Sequence, residues 1–242
     1  MRSSDAFGPS AARYERTEMS RYIADWVLGM AEPDDDDRML DLGCGPGTLT
    51  KLLSPHVAQV VGTDITPAML ERYRVNTSGT AVAADAELLP FDDGAFSLVV
   101  SGSVFHHLRD PQEAICEVAR VLRPGGRFVL IDMAGPEHPR RRAIRDEVER
   151  ARDQSHEAIL APSQVSTWMF EACLDLRADE RQVEDKRDVE WVALMGGDLA
   201  YVREIMDKHR DEAAGFLALR EEDGAFWFRR ERAYYCAVRT AR

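Results

Sequence analysis

The feature that most constrains this chain is an alternation over residues 38–133: a short apolar run, a turn, then an amphipathic segment, repeated. "RMLDL" is the first run, and residues 58–65, 80–86, 96–101 and 127–133 are its successors. Their near-continuous Val, Ile, Leu and Ala content suits parallel strands covered on both faces. The segments between them carry helix signals. Thr66-Pro67 and Asp110-Pro111 each place a capping residue ahead of a proline at the first helical position. Glu113, three residues after Asp110, comes close to completing a capping box. Ala114, Ile115, Val118, Val121 and Leu122 then form one apolar stripe, and "RPGG" at residues 123–126 stops the helix. Alternating βα units of this kind predict an α/β fold with a doubly wound parallel sheet.

The pattern changes after Met133. "EHPRRRAIRDEVERARD" reads as a polar helix, and residues 163–173 as a second one. "LDLRADERQVED" alternates like a strand with one wet face, and helical stretches follow around residues 189–194 and 200–209. "AFWFRRERAYYCAVR" is an aromatic-rich closing strand, expected to pair with its predecessor as an antiparallel hairpin at the sheet edge. Upstream, Met19, Tyr22, Ile23, Trp26 and Val27 have helical spacing, and "EPDDDD" reads as a solvated connection because like charges side by side repel.

Composition excludes several partners. A net charge of -12 argues against a nucleic-acid-binding face, which needs clustered basic charge, and against docking on anionic lipid. No apolar run approaches the roughly 20 residues of a membrane span. The polar start lacks the apolar core of a secretion signal, and four scattered cysteines show no paired or metal-ligand spacing. Reduced thiols and a cytoplasmic location are therefore expected. With 242 residues, one domain with additions is the simplest organisation, and a homodimer is allowed.

"LDLGCGPGTL" puts three glycines at every second position between a strand and a helix, an arrangement that brings ligand atoms over free backbone N–H groups. Counting from Gly43 the pattern is G-x-G-x-G and the sixth position is Thr48, so the third glycine of a dinucleotide fingerprint is missing. Asp41 adds negative charge where a pyrophosphate would lie and suits a ligand with an ammonium or sulfonium group. Asp64 stands 23 residues on, at the next strand end, where a carboxylate accepts from a ribose diol. Asp85 is placed to receive an adenine amino group, with the Ala86 N–H beside it for a ring nitrogen. Each aspartate alone could merely cap a turn.

"LDLGCGPGTLT", "VVGTDITPAML", "AADAELLPFDDGAFSLVVSGSVFHHL" and "VARVLRPGGRFVLID" together resemble the successive motifs of class I S-adenosylmethionine-dependent methyltransferases. The resemblance is to the small-molecule branch that includes the ubiquinone/menaquinone-biosynthesis methyltransferases. It implies a seven-stranded Rossmann-like sheet, mostly parallel, with an antiparallel last strand and a helical insertion between strands 5 and 6. On that plan residues 1–30 are N-terminal lid helices and 38–133 the cofactor-binding core. Residues 134–225 are the substrate-side insertion with strand 6, and 226–242 the closing strand. The resemblance further implies that Gly43, Gly45 and Gly47, with Cys44 among them, let the chain approach the methionine moiety. It sets Asp64 on the ribose, Ile65 and Met69 against the adenine and Asp85 at its amino group. Ser101 would offer its carbonyl to the ammonium, and Tyr14, in "FGPSAARY", would close over the methionine part. S-adenosylmethionine is then the cofactor, S-adenosylhomocysteine the product, and a small molecule the acceptor, methylated at an oxygen, with carbon or nitrogen as the alternative. A protein of this kind that binds the cofactor for a rearrangement or as a sensor would carry the same motifs.

Methyl transfer is an in-line displacement in which alignment contributes much, and a general base is needed only where the acceptor must lose a proton. His106 and His107, after the fourth strand, and His156, in the insertion, are the candidates. Packing is the plain alternative for the first two, and a helix-surface position for the third. Carboxylates grouped to hold Mg²⁺ after the fourth strand are missing, because Ser101, Gly102 and Ser103 stand there, so no metal is expected. Trp168, Phe170, Trp191, Phe226 and Trp227 are candidates to line an aromatic or polyketide-like acceptor pocket, or to form core. Arg140, Arg141 and Arg142 read as a solvated helix face.

Overall fold

The computed structural model describes residues 21–241. Tyr14, Met19 and most of the expected lid lie outside them. The strands are β1 (Arg38–Leu42), β2 (Gln59–Asp64), β3 (Thr80–Ala83), β4 (Phe96–Gly102), β5 (Leu122–Ala134), β6 (Leu174–Arg187), β7 (Arg220–Glu222) and β8 (Ala225–Arg239). The helices are α1 (Arg21–Ala31), α2 (Thr48–Leu53), α3 (Pro67–Asn76), α4 (Pro111–Val121), α5 (Pro139–Arg152), α6 (Pro162–Glu171), α7 (Asp188–Met195), α8 (Leu199–Lys208) and α9 (Arg210–Phe216). A 3₁₀ turn, Phe105–His107, follows β4.

One sheet carries the order β3-β2-β1-β4-β5-β8-β6. β1 to β5 pair in parallel, and β8 runs antiparallel to both β5 and β6. The seven expected strands are thus present. β8 and β6 form the expected antiparallel pair at the sheet edge, with β8 inserted between β5 and β6, from Arg127↔Val238 to Ala134↔Glu231 on one side. An eighth strand, β7, pairs only with the start of β8. Asp223 and Gly224, both at positive φ, make the two-residue turn between them. The helical insertion is also divided, with α5 and α6 before β6 and α7, α8 and α9 after it.

The strands read as continuous apolar runs because both faces are covered. Leu40, Leu42, Val99, Phe128 and Leu130 pack with Ala114, Ile115 and Val118 of α4 and with Val165 and Met169 of α6. Met39, Leu98, Val100, Val129 and Ile131 point the other way, onto Trp26 and Val27 of α1 and Leu49 and Leu53 of α2. A separate apolar cluster joins Val148, Trp191, Val202, Ile205, Met206 and Phe228 under the later helices.

Local signals were kept unevenly. Asp110 caps α4, accepting from Glu113 N at 3.0 Å. Thr66 precedes α3 but makes no side-chain cap. In the aspartate run, Asp34, Asp35 and Asp36 are not buried, whereas Asp37 is buried, accepts from Ser97 Oγ at 2.6 Å and pairs with Arg127. Its burial departs from the expected solvated loop, because a buried carboxylate with two partners is tolerated. Arg140, Arg141 and Arg142 are not buried, as read: Arg140 pairs with Glu212, and Arg142 donates to the Pro136 carbonyl at 3.0 Å.

Candidate functional site

The C-terminal ends of β1, β2 and β4 open onto a cavity of about 920 Å³ that continues under α7 and β8. Asp41, Gly43, Cys44, Gly45, Asp64, Ile65, Met69, Asp85, Ala86, His106 and His107 all line it. Gly47, Ser101 and His156 do not. The Ser101 hydroxyl donates to the Leu42 carbonyl at 2.9 Å behind the rim, and Gly102 and Ser103 take the lining position expected of it.

The three loop glycines divide by task. All have positive φ, 67°, 50° and 92° for Gly43, Gly45 and Gly47. A Cβ on Gly43 would stand 2.3 Å from a Val104 methyl, and one on Gly47 2.4 Å from the Thr77 methyl. Those two are needed for packing. A Cβ on Gly45 would meet nothing within 4 Å, so of the three it is the one whose side-chain position is open, where bare backbone admits a ligand.

Asp64 holds the loop to the next strand: its Oδ2 accepts from Gly45 N at 3.0 Å and its Oδ1 from Thr66 N at 2.8 Å. Burial raises its proton affinity, and these N–H groups oppose the rise. Asp41 is buried, and its Oδ2 accepts from Thr50 N at 3.0 Å and Thr50 Oγ1 at 2.7 Å. It thereby satisfies the first turn of α2, whose N-cap is the side-chain-less Gly47. Burial dominates and pushes its pKa up to about 6. Burial, then Asp41 and Asp64, also push the Cys44 thiol up, which favours its protonated form. Ile65 is 47% exposed over the cavity while Met69 beside it is buried, which gives an apolar shelf. β3 ends at Ala83, so Asp85 sits in the following turn, exposed, with Oδ1 accepting from Glu87 N at 3.0 Å.

The structure brings all three histidines together. The ring centroids of His106 and His107 are 3.9 Å apart, and those of His106 and His156 5.7 Å. His106 Nδ1 lies 2.5 Å from Asp132 Oδ1. Asp132 Oδ2 accepts from Val104 N at 3.1 Å and Phe105 N at 2.7 Å, so it fixes the turn that carries the imidazole. Burial would raise the Asp132 pKa, but His106 and the N–H groups outweigh it and hold it at about 2. His107 Nδ1 donates to the Ser155 carbonyl at 3.0 Å, and burial, then His106, drive its pKa well below the usual imidazole value. His156 is buried on Asp146 at 2.8 Å rather than on a helix surface. Asp132 was missed in the sequence. An acidic residue near the end of the apolar run "RFVLIDM" was the available signal.

Of the five aromatic candidates, Trp191 and Trp227 line the cavity. Phe226 is buried in the cluster under the later helices, Trp168 packs on the central core, and Phe170 is exposed. The inner wall also holds Arg152, Arg230 and Arg232, none of which has a local sequence signature. Among the described residues no group of three or more His, Cys, Asp or Glu is arranged to hold a metal ion, and no helix is long and apolar enough to cross a membrane.

Comparison with known proteins gives concordant matches. The family described as "Methyltransferase domain" matches residues 40–130. The uncharacterized methyltransferase YcgJ of Bacillus subtilis is 35% identical over 154 residues, 60% of each chain. That alignment spans less than two-thirds of this relative's length. YafE of Escherichia coli is 33% identical over 196 residues, 76% of this chain and 93% of YafE. The crystal structure of a putative methyltransferase, BH2331 from Bacillus halodurans, superimposes with a TM-score of 0.85 at 25% identity, covering 90% of this chain and 99% of that one.

Proposed function

Because the chain belongs to the class I S-adenosylmethionine-dependent methyltransferases, we propose that it methylates a small molecule held in the inner part of the cavity, at an oxygen. The observation that carries this reading is continuity: one cavity runs from Gly45 and Asp64 to His106 and on to Trp191.

The residues at the strand ends fit the methyl donor. Gly45 leaves room where a side chain would project, and Ile65 with Met69 offers an apolar shelf for a base. Asp64 is the proposed ribose partner, Asp85 and Ala86 the adenine edge, and Asp41 the negative charge below a cationic tail. Gly102 and Ser103 replace Ser101 as the β4 contribution to this site. S-adenosylmethionine supplies a methyl group on a sulfonium, transferred by in-line displacement. The protein's part is then to align the acceptor, exclude water and remove the acceptor's proton.

His106 is suited to the last task. With Nδ1 donating to Asp132, its Nε2 is the acceptor nitrogen on a ring that lines the cavity. A hydroxyl acceptor donates its proton to Nε2 as the oxygen takes the methyl group, and Asp132 steadies the resulting imidazolium. His107 supports the neighbouring ring as a neutral imidazole tied to Ser155. His156 is a positioning residue, since it does not line the cavity.

The test is incubation of the protein with methyl-labelled S-adenosylmethionine and a panel of hydroxylated aromatic small molecules. Label is expected in an extractable product, with His106→Gln slowing transfer by roughly 10²–10⁴-fold. Tight S-adenosylhomocysteine binding with label in no product would contradict methyl transfer, and an unslowed variant would remove His106 as the base.

A further inference from the structure

The chain as a whole is acidic, with 43 Asp and Glu against 31 Lys and Arg. Part of its cavity wall nevertheless gathers arginines. Arg152 from α5 and Arg230 and Arg232 from β8 line the cavity, and Arg145 stands behind them. Glu149 and Glu184 pair with this cluster, while Glu157, Asp185 and Glu190 line the same cavity. Glu149 is fully engaged, pairing with Arg145 at 2.5 Å and Arg152 at 3.1 Å. Glu184 pairs with Lys186 at 2.7 Å and only distantly with Arg232, at 3.9 Å.

Arg230 is left over. Among the described residues its guanidinium makes no hydrogen bond or ion pair, and its Nε is buried without a hydrogen-bond partner; the Nε of Arg232 also lacks one and has only the distant Glu184 carboxylate. Burial, and then repulsion from Arg232, lower its pKa to about 10; Glu149 opposes the drop, and Arg152 and Arg145 add to it. A half-buried guanidinium set beside Arg232 and Arg152, with donors that no protein carboxylate takes up by hydrogen bond, is left incompletely paired by the protein itself. It is what a site for an anion requires, since the planar fork matches the oxygens of a carboxylate or phosphate. Trp191, whose ring lies 4.6 Å from the Arg152 guanidinium carbon, gives the same wall an aromatic face.

We infer that the acceptor carries an anionic oxygen group, carboxylate or phosphate, which Arg230, assisted by Arg232 and Arg152, binds on the cavity wall that also carries Trp191. The inference rests on the reading of this cavity as an acceptor site. It names the end by which the acceptor is held: the anion on the arginines, the reacting hydroxyl toward His106.

Two matched pairs of probes test it, 4-hydroxybenzoate against its methyl ester and phenyl phosphate against phenol, titrated by calorimetry with and without saturating S-adenosylhomocysteine. The anion of at least one pair should bind about tenfold tighter than its neutral partner, a preference that Arg230→Met removes and Arg229→Met keeps. Arg229 is the next residue on β8, with an exposed side chain outside the cavity. Arg230→Met should also leave the thermal midpoint unchanged or raised, where loss of a structural arginine would lower it. Arg230→Gln supplies a second variant should the first misfold. Absence of preference in both pairs, including absence of any binding, would overturn the inference, as would a preference that survives both Arg230 variants. Failure of the underlying reading shows separately, as absence of S-adenosylhomocysteine binding to the unsubstituted protein before any probe is added.

Discussion

Asp41 and Asp132 are both buried carboxylates at strand ends, and their surroundings move them in opposite directions. Asp41 has only the neutral N–H and O–H of Thr50 to offset desolvation, and its pKa rises to about 6. Asp132 has three backbone N–H groups and an imidazole, and is held at about 2. Asp41 therefore takes up protons on folding between about pH 4 and pH 6, and stability falls as pH rises through that window. Asp41→Asn should remove a cost on the order of 3 kcal/mol above pH 6, a gain that fades toward pH 4, while weakening S-adenosylmethionine binding. Thermal unfolding across pH 4–8 reads the first effect and calorimetry the second. For Asp132 the sign is reversed. Its contribution is complete above about pH 4 and is lost as pH falls toward 2. Asp132→Ala should destabilise the protein by about 3–5 kcal/mol at neutral pH in chemical denaturation, because it leaves the turn's N–H groups and His106 without their buried partner.

At the scale of elements, one ring fixes how α3 sits on the sheet. Tyr73 is fully buried, its hydroxyl lies 3.1 Å from Thr50 Oγ1, and burial pushes its pKa up to about 12. Cβ atoms on Gly62 of β2 and Gly79 ahead of β3 would fall 2.4 Å and 2.2 Å from atoms of this side chain. Both glycines therefore make room for an aromatic ring rather than for a ligand. Gly62→Ala should lower stability by about 1–3 kcal/mol, and adding Tyr73→Leu should recover part of that loss, a coupling readable in a double-mutant cycle. The βα core was legible because its signals are local. Asp110-Pro111, the stripe from Ala114 to Val121 and the doubly buried strands each act over a few residues. The packing role of Gly62, Gly43 and Gly47 was not, since it depends on Tyr73, Val104 and Thr77 arriving from elsewhere in the chain. β7 escaped because three residues carry little period, although Asp223-Gly224 marked its turn.

At the scale of the whole molecule, the sheet sets a polarity of charge. Its early strands end in Asp41 and Asp64, beneath the proposed cationic tail and ribose, and the later elements bring Arg152, Arg230 and Arg232 to the wall of the same cavity. The first half of this arrangement was readable, because the glycine loop and the strand-end aspartates follow one another at short spacing. The second half was not: Arg152, Trp191 and Arg230 belong to α5, α7 and β8, and only the tertiary fold places them side by side. The histidines lie between these cases. His106 and His107 announced themselves by position, whereas Asp132, the residue that orients them, comes from the adjoining strand. The central claim, that the strand-end cleft is a site for S-adenosylmethionine with Asp64 at its ribose, is tested most directly by titrating S-adenosylhomocysteine into the protein calorimetrically. One equivalent should bind per chain, and Asp64→Ala should weaken binding by about tenfold or more. Absence of binding, or equal affinity in the variant, would contradict it.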